Sequence, residues 1–128
     1  MRTSITYAER PVTAEEKAVA NVLATVAKAA SAQDPIQFAS VLADNAKVAV
    51  IFEATQLSKE EFLKKISSLR SRRWRLAYRD VVIRVYDQQA KIYCTGLITF
   101  QGKLAPCFLN RDFTLEKYEG KWLITEAL

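Results

Sequence analysis

The sequence predicts an α+β fold: three helices in the N-terminal half, packed on a strongly curved mixed or antiparallel sheet. Three observations carry this. Helical periodicity and capping signals fall before Arg73, and long β-forming runs follow it without interruption. The last quarter, Lys103 to Leu128, reads as a hairpin around the turn Tyr118-Glu119-Gly120-Lys121. The run from Arg73 to Tyr86 changes the parity of its apolar residues partway, which calls for a bulge and a bend.

Residues 1–12 are polar and read as a tail with a short docked piece around Ile5 and Tyr7. Thr13-Ala14-Glu15-Glu16 is a capping box, in which Thr13 accepts from the N3 amide and Glu16 reaches back. The helix it opens runs to about Ala32, with Val19, Val22, Leu23, Val26 and Ala30 on one stripe. Asp34-Pro35 restarts a short helix, with Asp34 as N-cap and Pro35 at N1, where its missing N–H costs nothing. Its apolar set is Ile36, Phe38, Val41 and Leu42, and Asp44-Asn45 is expected to end it. Lys47 to Glu53 reads as a strand. Ser58-Lys59-Glu60-Glu61 is a further capping box, opening a helix with Phe62, Leu63, Ile66 and Leu69.

In the run from Arg73 to Tyr86, Val81, Ile83 and Val85 share one parity, while Trp74, Leu76 and Tyr78 take the other. A β-bulge between Tyr78 and Asp80 would bring both sets to one face. Asp87-Gln88-Gln89 forms the next turn, Lys91 to Gln101 the next strand, and Gly102 the turn after it. In the closing hairpin Cys107, Leu109, Phe113 and Leu115 alternate on one face, and Arg111 falls among them. A charge on an apolar face needs a partner or a ligand.

At 128 residues the chain is one domain, 13–128, behind its tail, and half of its residues are apolar. There is no histidine, which excludes Ser-His-Asp and Cys-His catalysis and makes a zinc site improbable. No metal or cofactor is expected. Cys94 and Cys107 read as two buried free thiols, the alternative being that they face each other across adjacent strands. No apolar run approaches the ~20 residues of a membrane span, and MRTSITYAERPV lacks the apolar segment of a signal peptide. A cytoplasmic location is the expectation. The net charge of +5 mildly favours an anionic partner.

The order of elements and the pieces on it resemble the nuclear transport factor 2-like superfamily. This is the cystatin-like cone shared by ketosteroid isomerases, polyketide cyclases and scytalone dehydratases. The resemblance covers about residues 13–128. It rests on the long first helix, Leu42-Ala43-Asp44-Asn45-Ala46 before a strand, the capped helix at Ser58, Arg111-Asp112-Phe113-Thr114-Leu115 and Glu119-Gly120-Lys121-Trp122-Leu123-Ile124. It implies a pocket between the concave sheet face and the helices, and dimerisation through the convex face. It also implies where catalytic groups would stand. The general-base position of ketosteroid isomerases matches Val50, and their proton-donating acid matches Arg111. Scytalone dehydratase-like chemistry needs histidines. The Asp-Arg-Asp set of limonene epoxide hydrolase-like enzymes finds Arg111, but Asp112 alternates to the opposite face. The familiar catalytic sets are absent.

Four constellations remain. Arg111 offers a ligand carboxylate, phosphate or enolate a rigid donor fork, against the plainer reading of a structural ion pair with Glu53 or a helix residue. Phe38, Phe52, Trp74, Tyr78, Phe100 and Phe113 line either an apolar pocket or an ordinary core, with Tyr78 the best donor to an oxyanion. Arg70, Arg72, Arg73, Arg75 and Arg79, interleaved with Trp74 and Tyr78, form either a strip for a nucleic acid or acidic protein or a solvated strand edge; nucleic acid is the less expected occupant. Among the carboxylates Asp80, Asp87 and Glu53, Glu53 is the candidate partner of Arg111. The function these support is binding of a small amphipathic or anionic ligand by a homodimeric domain. Its ligand residues are Arg111, Trp74, Tyr78, Phe38, Phe52, Phe113 and Val50. The alternative is an isomerase, dehydratase or cyclase using Tyr78, Glu53 and Arg111.

Overall fold

The computed structural model describes residues 5–32, 34–49, 56–68, 74–100 and 107–127. Within them the order is β1 (Ile5–Tyr7), α1 (Ala14–Ala32), α2 (Pro35–Val41), β2 (Leu42–Ala49), β3 (Gln56–Ser58), α3 (Lys59–Ser68), β4 (Trp74–Tyr86), β5 (Gln89–Phe100), β6 (Cys107–Tyr118) and β7 (Lys121–Ala127). The three helix starts form as the local chemistry dictates. The Glu16 amide donates to Thr13 Oγ1 at 3.1 Å, and the Thr13 amide donates back to Glu16 Oε1 at 2.9 Å. Ser58 and Glu61 repeat the exchange at 3.2 and 3.0 Å. Asp34 accepts from the Ile36 and Gln37 amides, with Pro35 opening α2.

The strands make one seven-stranded mixed sheet in the order β1-β4-β5-β6-β7-β2-β3. The β4–β5–β6–β7 meander is antiparallel, while β1 joins β4, and β2 joins β7, in parallel. The α2 helix ends earlier than expected. Leu42 leaves helical geometry at φ −99°, ψ 133°, and pairs with Ile124, so Asp44 and Asn45 lie inside a strand. Pairing with β7 overrides the turn propensity of Asp-Asn. Only 42–49 of this strand is described, and the expected continuation through Glu53 lies outside the described residues. Ile5 and Tyr7 form β1, a true sheet member anchored by the Ala8 amide on the Val81 carbonyl at 3.0 Å.

The parity conflict in β4 is resolved by a bulge. Arg79 pairs with Thr95 and Val82 with Tyr93, which leaves Asp80 and Val81 opposite Cys94 alone. Asp80 takes the left-handed conformation, φ 56°, that lets the extra residue fit. Leu76 and Tyr78 before the bulge, and Val81 and Ile83 after it, are therefore all buried on the same face. That face packs against the helices. Val19 and Leu23 of α1 and Ile92, Leu115 and Ile124 of the sheet are each at most 2% exposed. The α1 helix lies against β4 and β7, the strands on either side of the β5–β6 pair, as a helix laid across a concave sheet does. Its N-terminus is tied to the hairpin end. The Glu15 carboxylate accepts from Lys117 Nζ at 2.9 Å and from the indole N–H of buried Trp122 at 3.1 Å.

Candidate functional site

The inner face of the sheet brings three strands to one place. On β4 the bulge aims Tyr78 inward, and Tyr78 stands directly opposite Gly96 of β5. Cys94, two residues along β5 on the same face, stands opposite Arg111 of β6. Phe113, next on that face of β6, meets the Tyr78 ring edge-on at 5.8 Å between centroids. Tyr78 and Arg111 thus flank a stretch of β5 that presents only a glycine and a thiol. Two strand spacings and one two-residue step separate their Cα atoms by about 11–12 Å. The β5 floor is low where its neighbours on either side are tall.

Arg111 is half-buried and donates from Nη2 to the Ala49 carbonyl at 2.9 Å. The geometry of the sheet explains this reach. The last residue of β7 to pair is Ala127, which faces Phe113 on one side and Val48 on the other. Among the described residues none of β7 pairs at the level of Arg111, and the arginine reaches from β6 to Ala49 of β2. No carboxylate lies within ion-pair distance of it among the described residues. Asp112 is exposed on the outer face, as alternation requires.

Burial dominates the titration of the groups around Arg111. It pushes the Tyr78 phenol well above its ordinary 10.0, opposed by the Arg111 charge. It pushes the Cys94 thiol from 9.0 up to about 12, again opposed by Arg111 and assisted by Asp112. Tyr78 is 3% exposed, and its hydroxyl has no hydrogen-bond partner among the described residues. It is a neutral donor near a cation. Cys94 is a protonated thiol resting on the Arg111 carbonyl, Sγ to O 3.7 Å, and so is not a nucleophile. It cannot pair with Cys107. The latter stands opposite Ile98, four residues off register and about 13 Å away along the strands.

The other expected site residues are distributed as follows. Phe38 is buried and packs edge-on against Phe62 of α3 at 5.0 Å, in the same core as Tyr78 and Phe113. Trp74 begins β4, described in its backbone alone. Val50, Phe52 and Glu53 lie outside the described residues, and with them the expected Glu53–Arg111 pair. Of the basic strip, Arg70, Arg72 and Arg73 also lie outside, and Arg79 is exposed on the outer face. The contribution of Cys94 and Gly96 was not read from the sequence. The signal was there: small residues at alternate positions in a strand otherwise built from Ile, Tyr, Leu and Phe. Among the described residues no three Cys, Asp and Glu side chains cluster as metal ligands, and no helix is long and apolar enough to cross a membrane.

This architecture is the nuclear transport factor 2-like, or cystatin-like, fold that the sequence resemblance implied. A nuclear transport factor 2-like protein of unknown function from Pseudomonas putida superposes with a TM-score of 0.81 at 11% identity, covering 92% of this chain and 87% of the other. A Xanthomonas campestris protein, provisionally described as a calcium/calmodulin-dependent protein kinase II association domain, gives 0.79 at 20% identity over 95% and 91% of the chains. A Novosphingobium aromaticivorans protein, provisionally described as a scytalone dehydratase, gives 0.71 at 12% identity over 88% and 80%. At these identities the likeness is one of fold. No family model matches the sequence, and no curated protein matches it.

Proposed function

We propose that this chain binds a small amphipathic anion between the inner sheet face and the helices. Its carboxylate or other anionic oxygen is received by Arg111 and Tyr78, and its apolar body lies along Phe113 and the neighbouring core. The observation that carries the reading is the pairing of two donors over a low floor. The Arg111 guanidinium lacks a carboxylate, and the Tyr78 hydroxyl lacks an acceptor, among the described residues. A guanidinium fixed by one backbone bond keeps the rest of its donor fork pre-organised for a planar oxyanion. A phenol held neutral donates a second hydrogen bond without bringing charge. Burial that keeps Tyr78 protonated equally makes it a poor acid catalyst, which favours binding over turnover. We infer a homodimer joined through the outer sheet face, where Tyr93 of β5 is 42% exposed.

The test is a thermal-shift and calorimetry panel of octanoate, 4-phenylbutyrate and naphthylacetate, each beside its primary amide. An acid present at a hundred times its Kd stabilises by about 2.7 kcal/mol, and the amide does so much less. Arg111→Met is expected to weaken the acid at least tenfold and to leave the amide nearly unchanged. No stabilisation by any acid, together with a crystal structure in which side chains fill the space between Tyr78 and Arg111, overturns the reading.

A further inference from the structure

The N-terminal strand carries an inference of its own, independent of the ligand reading above. We propose that the free edge of β1 accepts an extended acidic peptide segment as an additional strand of the sheet. Among the described residues β1 is an outermost strand with β4 as its only neighbour, so backbone groups along its other side have no described partner strand. Its residues, Ile5, Thr6 and Tyr7, are all strong β-formers, and no charge or proline lies within the strand to discourage pairing. The strand is held firmly enough to act as a template. Ile5 and Tyr7 pack on the core, Ala8 bonds to Val81, and Glu9 pairs with Arg84 at 2.6 Å.

A hollow of about 460 Å³ is lined, among the described residues, by Ile5, Thr6, Tyr7, Arg10 and Pro11. Residues of both parities line it. A hollow over one face of a strand touches alternate residues, whereas one that touches consecutive residues runs along the edge. Arg10 sets the charge. It is exposed, no carboxylate lies within ion-pair distance of it among the described residues, and the adjacent Glu9 is already taken by Arg84. An extended segment with a β-branched or aromatic side chain and a nearby Asp or Glu fits these features. Main-chain bonds to β1 supply affinity, and the hollow and Arg10 select the sequence.

The experiment uses the full chain labelled with nitrogen-15 and the synthetic peptide acetyl-DVTVTVE-amide. Two further versions carry N-methyl groups on alternate amides, each blocking one edge of the peptide, and a fourth replaces both acids by lysine. Saturable shifts confined to the amides of Ile5 to Arg10 are expected at about 1 mM peptide. One N-methylated version loses binding at least tenfold while the other does not. Arg10→Glu, a change at an exposed side chain, weakens the acidic peptide about fivefold and strengthens the lysine version. Three results overturn the proposal: no shift in Ile5 to Arg10; equal binding by both N-methylated versions, which means that the hollow takes a side chain or small molecule and not a strand; or the same shifts appearing with protein concentration alone, which makes a second copy the occupant.

Discussion

Replacing Tyr78 by phenylalanine separates a binding hydroxyl from a structural one, because the two roles move different measurements. Tyr78 is 3% exposed, and its hydroxyl finds no partner among the described residues. The contact of the ring with Phe113 at 5.8 Å survives the change, since only the oxygen is lost. Removing that oxygen gives up a few dispersion contacts, worth about 0.5 kcal/mol together. The variant is therefore expected to keep its stability to within about 0.5 kcal/mol, a change in Tm of about 2 °C for a chain of this size. Its affinity for an acid ligand is expected to fall by about 0.5–1.5 kcal/mol, or twofold to tenfold. Urea denaturation followed by tryptophan fluorescence measures the first quantity, and calorimetry the second. A variant destabilised by more than 1 kcal/mol would show that the hydroxyl holds the fold together. Unchanged affinity would show that it does not face the ligand. Either result refutes the role given to it.

Three further outcomes follow from the fold. Glu15→Ala leaves the indole N–H of buried Trp122 without its acceptor and frees Lys117, and is expected to cost about 2 kcal/mol in urea denaturation; most of this is the orphaned indole donor, because the ion pair is partly exposed and screened, so Glu15→Gln, which keeps an acceptor, costs about half as much. Asp80→Val forces a β-branched residue to φ 56° and is expected to cost about 1–2 kcal/mol, while Asp80→Gly stays within about 0.5 kcal/mol; equal effects of the two would mean that the bulge is not held by backbone conformation. The Cys94 thiol keeps its proton up to about 12 in the folded chain but loses it near 9.0 in the unfolded one. Between these values the folded state binds more protons, so the contribution of Cys94 is complete below pH 9 and is lost as pH rises toward 12, at about 1.4 kcal/mol per pH unit. Denaturation curves from pH 8 to 11 should show that decline in the wild type and a shallower one in Cys94→Ala.

What the sequence made legible was local or periodic. The Thr13 and Ser58 boxes and the Asp34-Pro35 start depend on side chains two or three residues away, and each forms as read. The bulge was legible because one parity of β4 could not be apolar throughout, and that conflict has a single cheap solution. The end of α2 was not legible, because it is set by β7, a strand some 80 residues away: Leu42 is drawn into the sheet by Ile124 against the turn chemistry of Asp44-Asn45. β3 is three residues long and carries no periodic signal. In the candidate site, Arg111 stood out as a charge on an apolar face. Its proximity to Tyr78 depends on two non-local features, the bulge that aims Tyr78 and the register that sets Cys94 against Arg111.

The two positions that the family resemblance singled out, Val50 and Arg111, are far apart in sequence, and Val50 lies outside the described residues. Arg111 donates to the carbonyl of Ala49, the residue before Val50. The resemblance to ketosteroid isomerases implied carboxyl groups at these two positions, and in this sequence one residue is apolar and the other cationic. An arginine changes what such a site can hold. A carboxyl pair suits proton transfer on a neutral substrate, whereas under the proposed function a cation bonded to Ala49 and set near a neutral phenol receives an anion. Arg111 finds a backbone acceptor in Ala49 of β2, so its half-buried charge is hydrogen-bonded with no carboxylate in ion-pair range among the described residues. That bond occupies one guanidinium donor, so under the proposed function the contact that steadies the arginine still leaves donors for a ligand.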